Sequence, residues 1–273
     1  MNPPNFSSLS LSLDQGIAEI RLNRPDKSNA MNDAMWQEIR QAFEWVDATP
    51  EARVAILSGA GRNFCAGIDL ALLADIQHRT AHPDGARSRE ALRRLILDMQ
   101  DCLTSVERCR KPVLAAIQGA CIGGALDLVT CCDMRYATAD AIFSVREIDV
   151  GMVADVGTLQ RLPRLIPEGK ARELAFTGRN FLADEGERLG LINRVFASHE
   201  ALTATVRELA QAIAAKSPLA TRGIKEVMNF SRDHSIADGL NFVATWNAAM
   251  LLSDDLSEAI VAQREKRAPR FAD

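Results

Sequence analysis

Hydrophobic and polar residues alternate at every second position near the start of the chain. The alternation runs through LSLSL and, after the turn residues DQG, through IAEIRL, over residues 9–22. A period of two is typical of strands with one buried face, and a short turn between two such runs predicts a β-hairpin. We therefore expect the chain to open with two antiparallel strands.

The hydrophobic period then lengthens to three or four residues, as it does in amphipathic helices. Asn32 stands where a helix N-cap is expected, just ahead of the first apolar repeat, so a helix is predicted from this residue onward. The repeat of this helix consists of Met35, Ile39, Phe43 and Val46, and a later helix is predicted by Leu92, Leu95, Met99, Leu103 and Val106.

Two short segments are apolar almost throughout, RVAILSG (53–59) and KPVLAAIQG (111–119). Continuous apolar runs of this length are typical of strands buried on both faces. Because they alternate with helical patterns, they predict a parallel sheet with helical crossovers and hence an α/β fold. The polar, turn-rich stretch QHRTAHPDGARSRE (77–90) is expected to form a mobile surface loop.

The strand pattern ends close to residue 197, and helical patterns fill the rest of the chain. We therefore expect an α/β core over residues 1–196, carrying the functional site, and a helical region over residues 197–273. No low-complexity linker separates the two regions, and the sequence contains no internal repeat at a fixed period.

Composition narrows the function to small-molecule chemistry. Of the 273 residues, 47% are hydrophobic and 25% are charged, which is ordinary for a globular protein in water. The net charge of -4 comes without a basic run, so binding to nucleic acid is not expected. No apolar run approaches the roughly 20 residues that span a bilayer, so no membrane partner is expected either.

The cysteines and the chain ends predict a cytoplasmic protein. The six cysteines have no CxxC spacing and lie mostly in apolar segments, as buried reduced thiols do. The N-terminus lacks the charged start and apolar run of a secretory signal, and the ending RFAD is not a peroxisomal address. These cysteines are Cys65, Cys102, Cys109, Cys121, Cys131 and Cys132.

Two glycine-rich segments are candidates for an anion-binding site made of backbone groups. Gly123 and Gly124 follow a strand and open a helix, where unpaired N–H groups favour an oxyanion, although such a pair can also serve helix–strand packing alone. The segment FCAGIDL has the same strand-loop-helix pattern, so the N–H of Ile68 is a candidate second donor. Two convergent N–H groups would form an oxyanion hole.

Three carboxylates stand near these glycines in apolar surroundings, at Asp127, Glu147 and Asp155. Each has a simpler explanation: Asp127 could be a paired polar group, Glu147 a surface charge, and Asp155 the N-cap of the following helix. Together they suggest acid/base chemistry, because like charges in one desolvated site raise at least one pKa. Residues expected to lie outside the chemistry are Asp69 and Asp149, in helix or turn positions, and the surface histidines His78, His82, His199 and His234.

Long segments of the chain carry a family resemblance. NRPDKSNAM, FCAGIDL, KPVLAAIQGACIGGALDLVTCCDMRYAT and VGTLQRLP occur in the order found in the enoyl-CoA hydratase/isomerase, or crotonase, superfamily. Within this superfamily the chain is most similar to the dienoyl-CoA isomerases, through AGIDL, IGGALDL, VREIDVGMVADVGTLQRLP and SRDHS with ATWNAAML. The resemblance implies a crotonase-like spiral of ββα turns, whose helical C-terminal region builds homotrimers or homohexamers.

The resemblance also implies a reaction, the shift of the double bonds of 3,5-dienoyl-CoA to 2,4-dienoyl-CoA in fatty-acid β-oxidation. The thioester oxygen would accept hydrogen bonds from the N–H groups of Ile68 and Gly124. Asp155 would remove a proton from carbon 2, Glu147 would return one at carbon 6, and Asp127 would tune the site. No metal or redox cofactor is implied, since CoA is part of the substrate. The residues expected to bind the acyl-CoA are Lys27, Ala30, Ala66, Gly67, Ile68 and Gly123.

Two other functions are compatible with the sequence. The first is a hydratase or a 3,2-enoyl-CoA isomerase of the same fold. Hydratases of this family hold a water molecule between two glutamates, at the positions of Asp127 and Glu147, and have glycine where this chain has Asp155. The second is a non-catalytic acyl-CoA-binding protein. Ala125 departs from the pattern, because many relatives have a third glycine there.

Overall fold

The computed structural model describes residues 3–272. The strands of this part of the chain are β1 (Leu9–Asp14), β2 (Ile17–Leu22), β3 (Val54–Gly59), β4 (Val113–Ile117), β5 (Ala120–Ile122), β6 (Met134–Thr138), β7 (Ile142–Ser144), β8 (Phe181–Leu182) and β9 (Arg194–Phe196). Its helices are α1 (Asp33–Ala48), α2 (Leu70–Arg79), α3 (Gly85–Arg108), α4 (Gly124–Thr130), α5 (Thr158–Leu165), α6 (Glu168–Thr177), α7 (Ala183–Leu189), α8 (His199–Ala214), α9 (Pro218–Arg232), α10 (Ile236–Met250) and α11 (Asp254–Glu265). Two 3₁₀ helices, Pro25–Lys27 and Arg146–Val150, complete the regular structure of these residues.

The larger sheet has the strand order β1-β2-β3-β4-β6-β9. Its first two strands form the predicted antiparallel hairpin, with Leu11 opposite Ile20, and the later pairs are parallel. The prediction of an α/β fold with a parallel sheet is confirmed.

Helices cover both faces of this sheet, which explains why β3 and β4 are almost entirely apolar. Ala55 and Leu57 pack in a core that includes α1 and α3, whereas Ile56 packs with α8 on the other face. Successive strand residues point to opposite faces, so a strand with two covered faces has few positions for a polar side chain, and Ser58 stands near the end of β3.

The smaller sheet has the order β5-β7-β8 and lies just beyond the end of β4 in the chain. β5 and β7 are parallel, with Cys121 opposite Phe143. Both strands therefore deliver the segments that follow them to the same edge of the small sheet, and those segments carry Gly123 and Glu147.

The first predicted helix is confirmed at its N-terminus. The side chain of Asn32 accepts a hydrogen bond from the N–H of Met35 (3.0 Å), which caps α1, and the apolar repeat faces the core. A cap of this kind stabilises a helix by about 1 kcal/mol.

The predicted loop over 77–90 is wrong in its extent. α2 continues to Arg79, and α3 begins at Gly85, capped by Asp84, whose side chain accepts from the N–H of Ala86 (2.8 Å). Only residues 80–84 connect the helices. The polar residues of this stretch lie on helix turns that face solvent, and a polar helix surface has the composition of a loop.

The region after residue 197 is helical, as predicted. Its first helix, α8, packs on the larger sheet and buries Leu202, Val206 and Ala210 in a second core. The boundary between residues 196 and 197 remains a prediction, although the last strand ends at Phe196. No helix within residues 3–272 is long and apolar enough to cross a membrane.

Candidate active site

A cavity of about 520 Å³ lies where the segments after β3, β5 and β7 meet. One wall consists of apolar side chains from α2 and α3, and ligand sites at the carboxyl ends of strands are common in α/β proteins. Among the predicted site residues, those that line this cavity are Ala66, Gly67, Ile68, Gly123, Gly124, Glu147 and Asp155.

The two predicted oxyanion donors face this common space. Ile68 and Gly124 both line the cavity, and within the described residues neither N–H donates to a protein acceptor. Gly67 makes the approach possible: it has φ +92°, and a Cβ there would lie 2.6 Å from the carbonyl oxygen of Ile122. The loop that carries Ile68 thus packs directly against the strand that leads to Gly124.

Glu147 belongs to the short 3₁₀ helix that follows β7. Its Oε1 lies against Gly123, where a Cβ would be 3.2 Å away, so a side chain at position 123 would crowd this carboxyl. Burial raises the pKa of the Glu147 carboxyl above its usual range, and the charge of Asp155 adds to this effect. Glu147 therefore holds a proton more readily than an exposed glutamate does.

Asp127 is fully buried on α4 and does not line the cavity; it lies behind Glu147. Its Oδ1 accepts a hydrogen bond from the N–H of Thr158 (2.5 Å). Its Oδ2 and the Oε2 of Glu147 are both buried without a hydrogen-bond partner, and the charge of Glu147 is close enough to raise the pKa of Asp127. Two like charges in one desolvated site are unfavourable, which favours a proton on one of the two carboxyls.

The pKa of Asp127 reflects this environment. Burial, followed by the neighbouring charge of Glu147, raises the pKa of the Asp127 carboxyl to about 7. Asp127 is thus both a paired polar group, which was the simpler explanation, and a direct neighbour of a carboxyl in the cavity. It is not itself directed into the cavity.

Asp155 lies in the loop between the 3₁₀ helix and α5, half-buried at the cavity wall. It does not cap α5, because this helix begins at Thr158 with Gly157 as its N-cap, so that explanation is excluded. Within residues 3–272 no other side chain bonds to its carboxylate. Burial raises the pKa of the Asp155 carboxyl above its usual range.

The remaining predicted residues, Lys27 and Ala30, lie outside the lining of the cavity. Their segment runs beside the Ile68 loop, since the N–H of Ala66 donates to the carbonyl of Ser28 (2.9 Å). A role of Lys27 and Ala30 in binding CoA therefore stays a prediction, compatible with a position next to the cavity.

Sequence reasoning missed the wall formed by α3. Leu92, Leu95 and Met99 were expected to form the buried face of a helix, and they line the cavity instead, together with Ile96. The sequence contains no signal that separates the two cases, because a core and an acyl-binding wall both require apolar side chains.

The histidines and cysteines are placed as predicted. All four histidines are exposed, and all six cysteines are buried free thiols. In the part of the chain that the structure describes, no group of three or more His, Cys, Asp or Glu side chains is arranged to hold a metal ion.

Comparisons with known proteins identify the family and the fold. Residues 12–273 match the model of the family described as enoyl-CoA hydratase/isomerase. The chain is 49% identical to a Δ(3,5)-Δ(2,4)-dienoyl-CoA isomerase, peroxisomal, of Arabidopsis thaliana, over 95% of this chain and 94% of the relative. It is 43% identical to the mitochondrial protein of the same name from Mus musculus, over 96% and 81%. The crystal structure of an enoyl-CoA hydratase from Bacillus anthracis superposes with a TM-score of 0.87 at 30% identity, covering 97% of this chain and 99% of the other.

Proposed function

Because the chain belongs to the enoyl-CoA hydratase/isomerase family, we propose that it is an enzyme that converts 3,5-dienoyl-CoA to 2,4-dienoyl-CoA. The observation that carries the proposal is Asp155, a second carboxylate that lines the same cavity as Glu147. The names of the relatives from Arabidopsis thaliana and Mus musculus support the same reaction.

The reaction begins at the thioester. The thioester oxygen accepts hydrogen bonds from the N–H groups of Ile68 and Gly124, which stabilise the negative charge that develops on it. Asp155 removes a proton from carbon 2, and the resulting electron pair is delocalised over the conjugated chain as far as carbon 6. Loss of one such donor typically costs about 3 kcal/mol of transition-state stabilisation.

The second half of the reaction returns a proton. Glu147 protonates carbon 6, which completes the 2,4-diene. Proton exchange then removes the proton from Asp155 and returns one to Glu147, so that both carboxyls regain their starting states. Burial and the charge of Asp155 raise the pKa of Glu147, which keeps this carboxyl available in its acid form. Both electrons of the broken C–H bond stay on the substrate, so the proposed chemistry needs no metal or redox cofactor.

A hydratase is the second candidate, because the superposed Bacillus anthracis structure carries that name. Hydration requires a water molecule activated next to the substrate, between the groups at positions 127 and 147. Asp127 lies behind Glu147 and does not line the cavity, which favours isomerisation over hydration.

We also propose that the chain assembles with copies of itself, as a trimer or a hexamer. Large apolar side chains are exposed in the C-terminal helical region, with Ile236 on α10 83% exposed and Leu252 in the connection to α11 92% exposed, and patches of this kind mark interfaces. Size-exclusion chromatography with light scattering tests this assembly. A monomer at micromolar concentration would contradict it.

A cytoplasmic location is proposed on the basis of the six buried free thiols, which suit a reducing compartment. The relative from Arabidopsis thaliana is peroxisomal by name, and the relative from Mus musculus is mitochondrial by name. Fractionation of the cells that express the protein decides between these compartments.

The proposed reaction is tested by mixing the purified protein with a 3,5-dienoyl-CoA and following the ultraviolet absorbance of the conjugated 2,4-dienoyl product. Hydration of a 2-enoyl-CoA is measured alongside. We expect isomerisation to dominate and to fall by 10²- to 10⁴-fold in Asp155→Asn, the usual contribution of a general base. Hydration without isomerisation, or full activity of the variant, would refute the proposal.

A further inference from the structure

The direction in which the Asp155 carboxylate points depends on the conformation of the main chain around it. Within residues 3–272, no other side chain donates to or pairs with this carboxylate. The flanking residues Ala154 and Val156 are buried, and the N–H of Thr158 is held by Asp127 (2.5 Å). A rotation of the backbone at position 155 would therefore redirect the carboxylate without breaking a contact between it and any other side chain.

One side chain opposes such a rotation. The Nε2 of Gln100, on α3, donates to the carbonyl oxygen of Asp155 over 2.6 Å. Residues 151–157 form neither helix nor strand, so this contact and the one from Thr158 to Asp127 bracket the peptide that carries the base. Gln100 is half-buried and does not line the cavity, so it does not touch the substrate.

The helix that bears Gln100 is a rigid support. α3 has 24 residues and packs with α1 in the main core through Cys102, Leu103 and Val106. The residue before Gln100, Met99, lines the cavity. The same turn of α3 thus contacts the space for the acyl chain and the peptide of the base.

We propose that Gln100 is a positioning residue, which holds the Asp155 peptide so that its carboxylate points at the proton removed from the substrate. The inference rests on the proposed function, in which Asp155 is that base. Displacement of a reacting group by about 1 Å can cost 10²-fold in rate, so loss of this contact acts on the chemical step rather than on binding.

The test compares the full-length wild-type protein with Gln100→Met, which keeps the size of the side chain and removes the donor. Gln160→Met is the matched control: Gln160 lies in the same surface cleft between α3 and α5, is exposed, and makes no side-chain hydrogen bond among the described residues. The rate is measured with 3,5-dienoyl-CoA and with the same ester carrying two deuterium atoms at carbon 2. Thermal unfolding is recorded for all three proteins.

For Gln100→Met we expect kcat to fall 10- to 100-fold with KM within about twofold of wild type, since a misaimed base slows proton removal and leaves binding intact. The deuterium isotope effect on kcat should rise, because removal of the carbon 2 proton then limits the rate more strictly. Gln160→Met should match the wild type. In an Asp155→Asn background, Gln100→Met should cause no further loss, because no base remains to be aimed.

Other outcomes distinguish a failure of the positioning role of Gln100 from a failure of the proposed isomerase function. Equal kcat in wild type and Gln100→Met overturns the positioning role. So does a loss of kcat with an unchanged isotope effect and a lower unfolding temperature, which would indicate a smaller folded fraction. A wild-type protein without isomerase activity would refute the proposed function itself, and with it the inference built on it.

Discussion

Replacement of Asp127 by asparagine tests whether this buried residue holds a proton beside Glu147. The amide has the same shape as a protonated carboxyl: its oxygen can still accept from the N–H of Thr158, and its NH₂ group takes the place of the oxygen that has no hydrogen-bond partner. The variant therefore reproduces the protonated form of Asp127 at every pH, and the fold should survive.

The magnitude follows from the pKa of Asp127. In the folded protein this pKa is raised from 3.8 to about 7, so the folded state holds a proton that the unfolded chain releases between those values. Stability contributed by the proton is fully present below pH 4 and is lost as the pH rises to about 7. At 1.36 kcal/mol for each pH unit, the difference of 7 − 3.8 corresponds to at most about 4 kcal/mol. Asp127→Asn should lack this loss.

The measurement is guanidinium denaturation at pH 5 and pH 8. Of the loss of at most about 4 kcal/mol, about 1.6 kcal/mol is already present at pH 5, so we expect the advantage of the variant over wild type to be larger at pH 8 than at pH 5, by about 1 to 3 kcal/mol. Asp140→Asn, at an exposed turn, is the control for a changed net charge. Equal pH dependence in Asp127→Asn and wild type would show that Asp127 does not hold a proton in this pH range.

The same variant should lose activity although its fold is stabilised. A permanent donor at position 127 favours the charged form of Glu147, lowers the pKa of that carboxyl relative to wild type, and weakens it as the acid that protonates carbon 6. We expect kcat at pH 8 to fall about tenfold or more, with a smaller loss at lower pH. An unchanged rate at pH 8 would show that Asp127 does not act through Glu147.

Three further predictions follow from the site. Asp155 must be ionised to act as the base, and burial raises its pKa. In a pH profile, kcat/KM should therefore fall with decreasing pH, with a midpoint above pH 3.8. A midpoint below pH 3.8 would contradict the buried environment of Asp155. Gly67→Ala places a Cβ 2.6 Å from a carbonyl oxygen at φ +92°, so the unfolding free energy should fall by about 1–3 kcal/mol and kcat should drop. Gly169→Ala is the control: its Cβ meets nothing within 4 Å and it lies in α6, so this variant should be as stable as wild type or slightly more stable, and equal behaviour of the two variants would refute the steric argument. Dialysis against a chelator should leave isomerase activity unchanged, and a loss restored by a divalent metal would overturn the metal-free mechanism.

The parts of the fold that sequence patterns predicted are those encoded locally. The hairpin over residues 9–22, the cap at Asn32 and the buried strands within 53–59 and 111–119 each depend on residues within a few positions of one another. The resemblance to a known family added the spiral fold and the reaction. The extent of the loop over 77–90 was missed because a solvent-facing helix and a loop share a polar composition.

The amino-acid order supplies the chemical groups of the site: the glycines at 67, 123 and 124, and the carboxylates at 127, 147 and 155. The role of each group depends on the fold around it. The tertiary structure placed Glu147 and Asp155 in one cavity, put Asp127 behind Glu147 with its pKa raised to about 7, and joined Gln100 to a peptide 55 positions away. The physical reason is that desolvation and charge–charge interactions depend on neighbours in space, and those neighbours are separated in the chain by distances that no local pattern records.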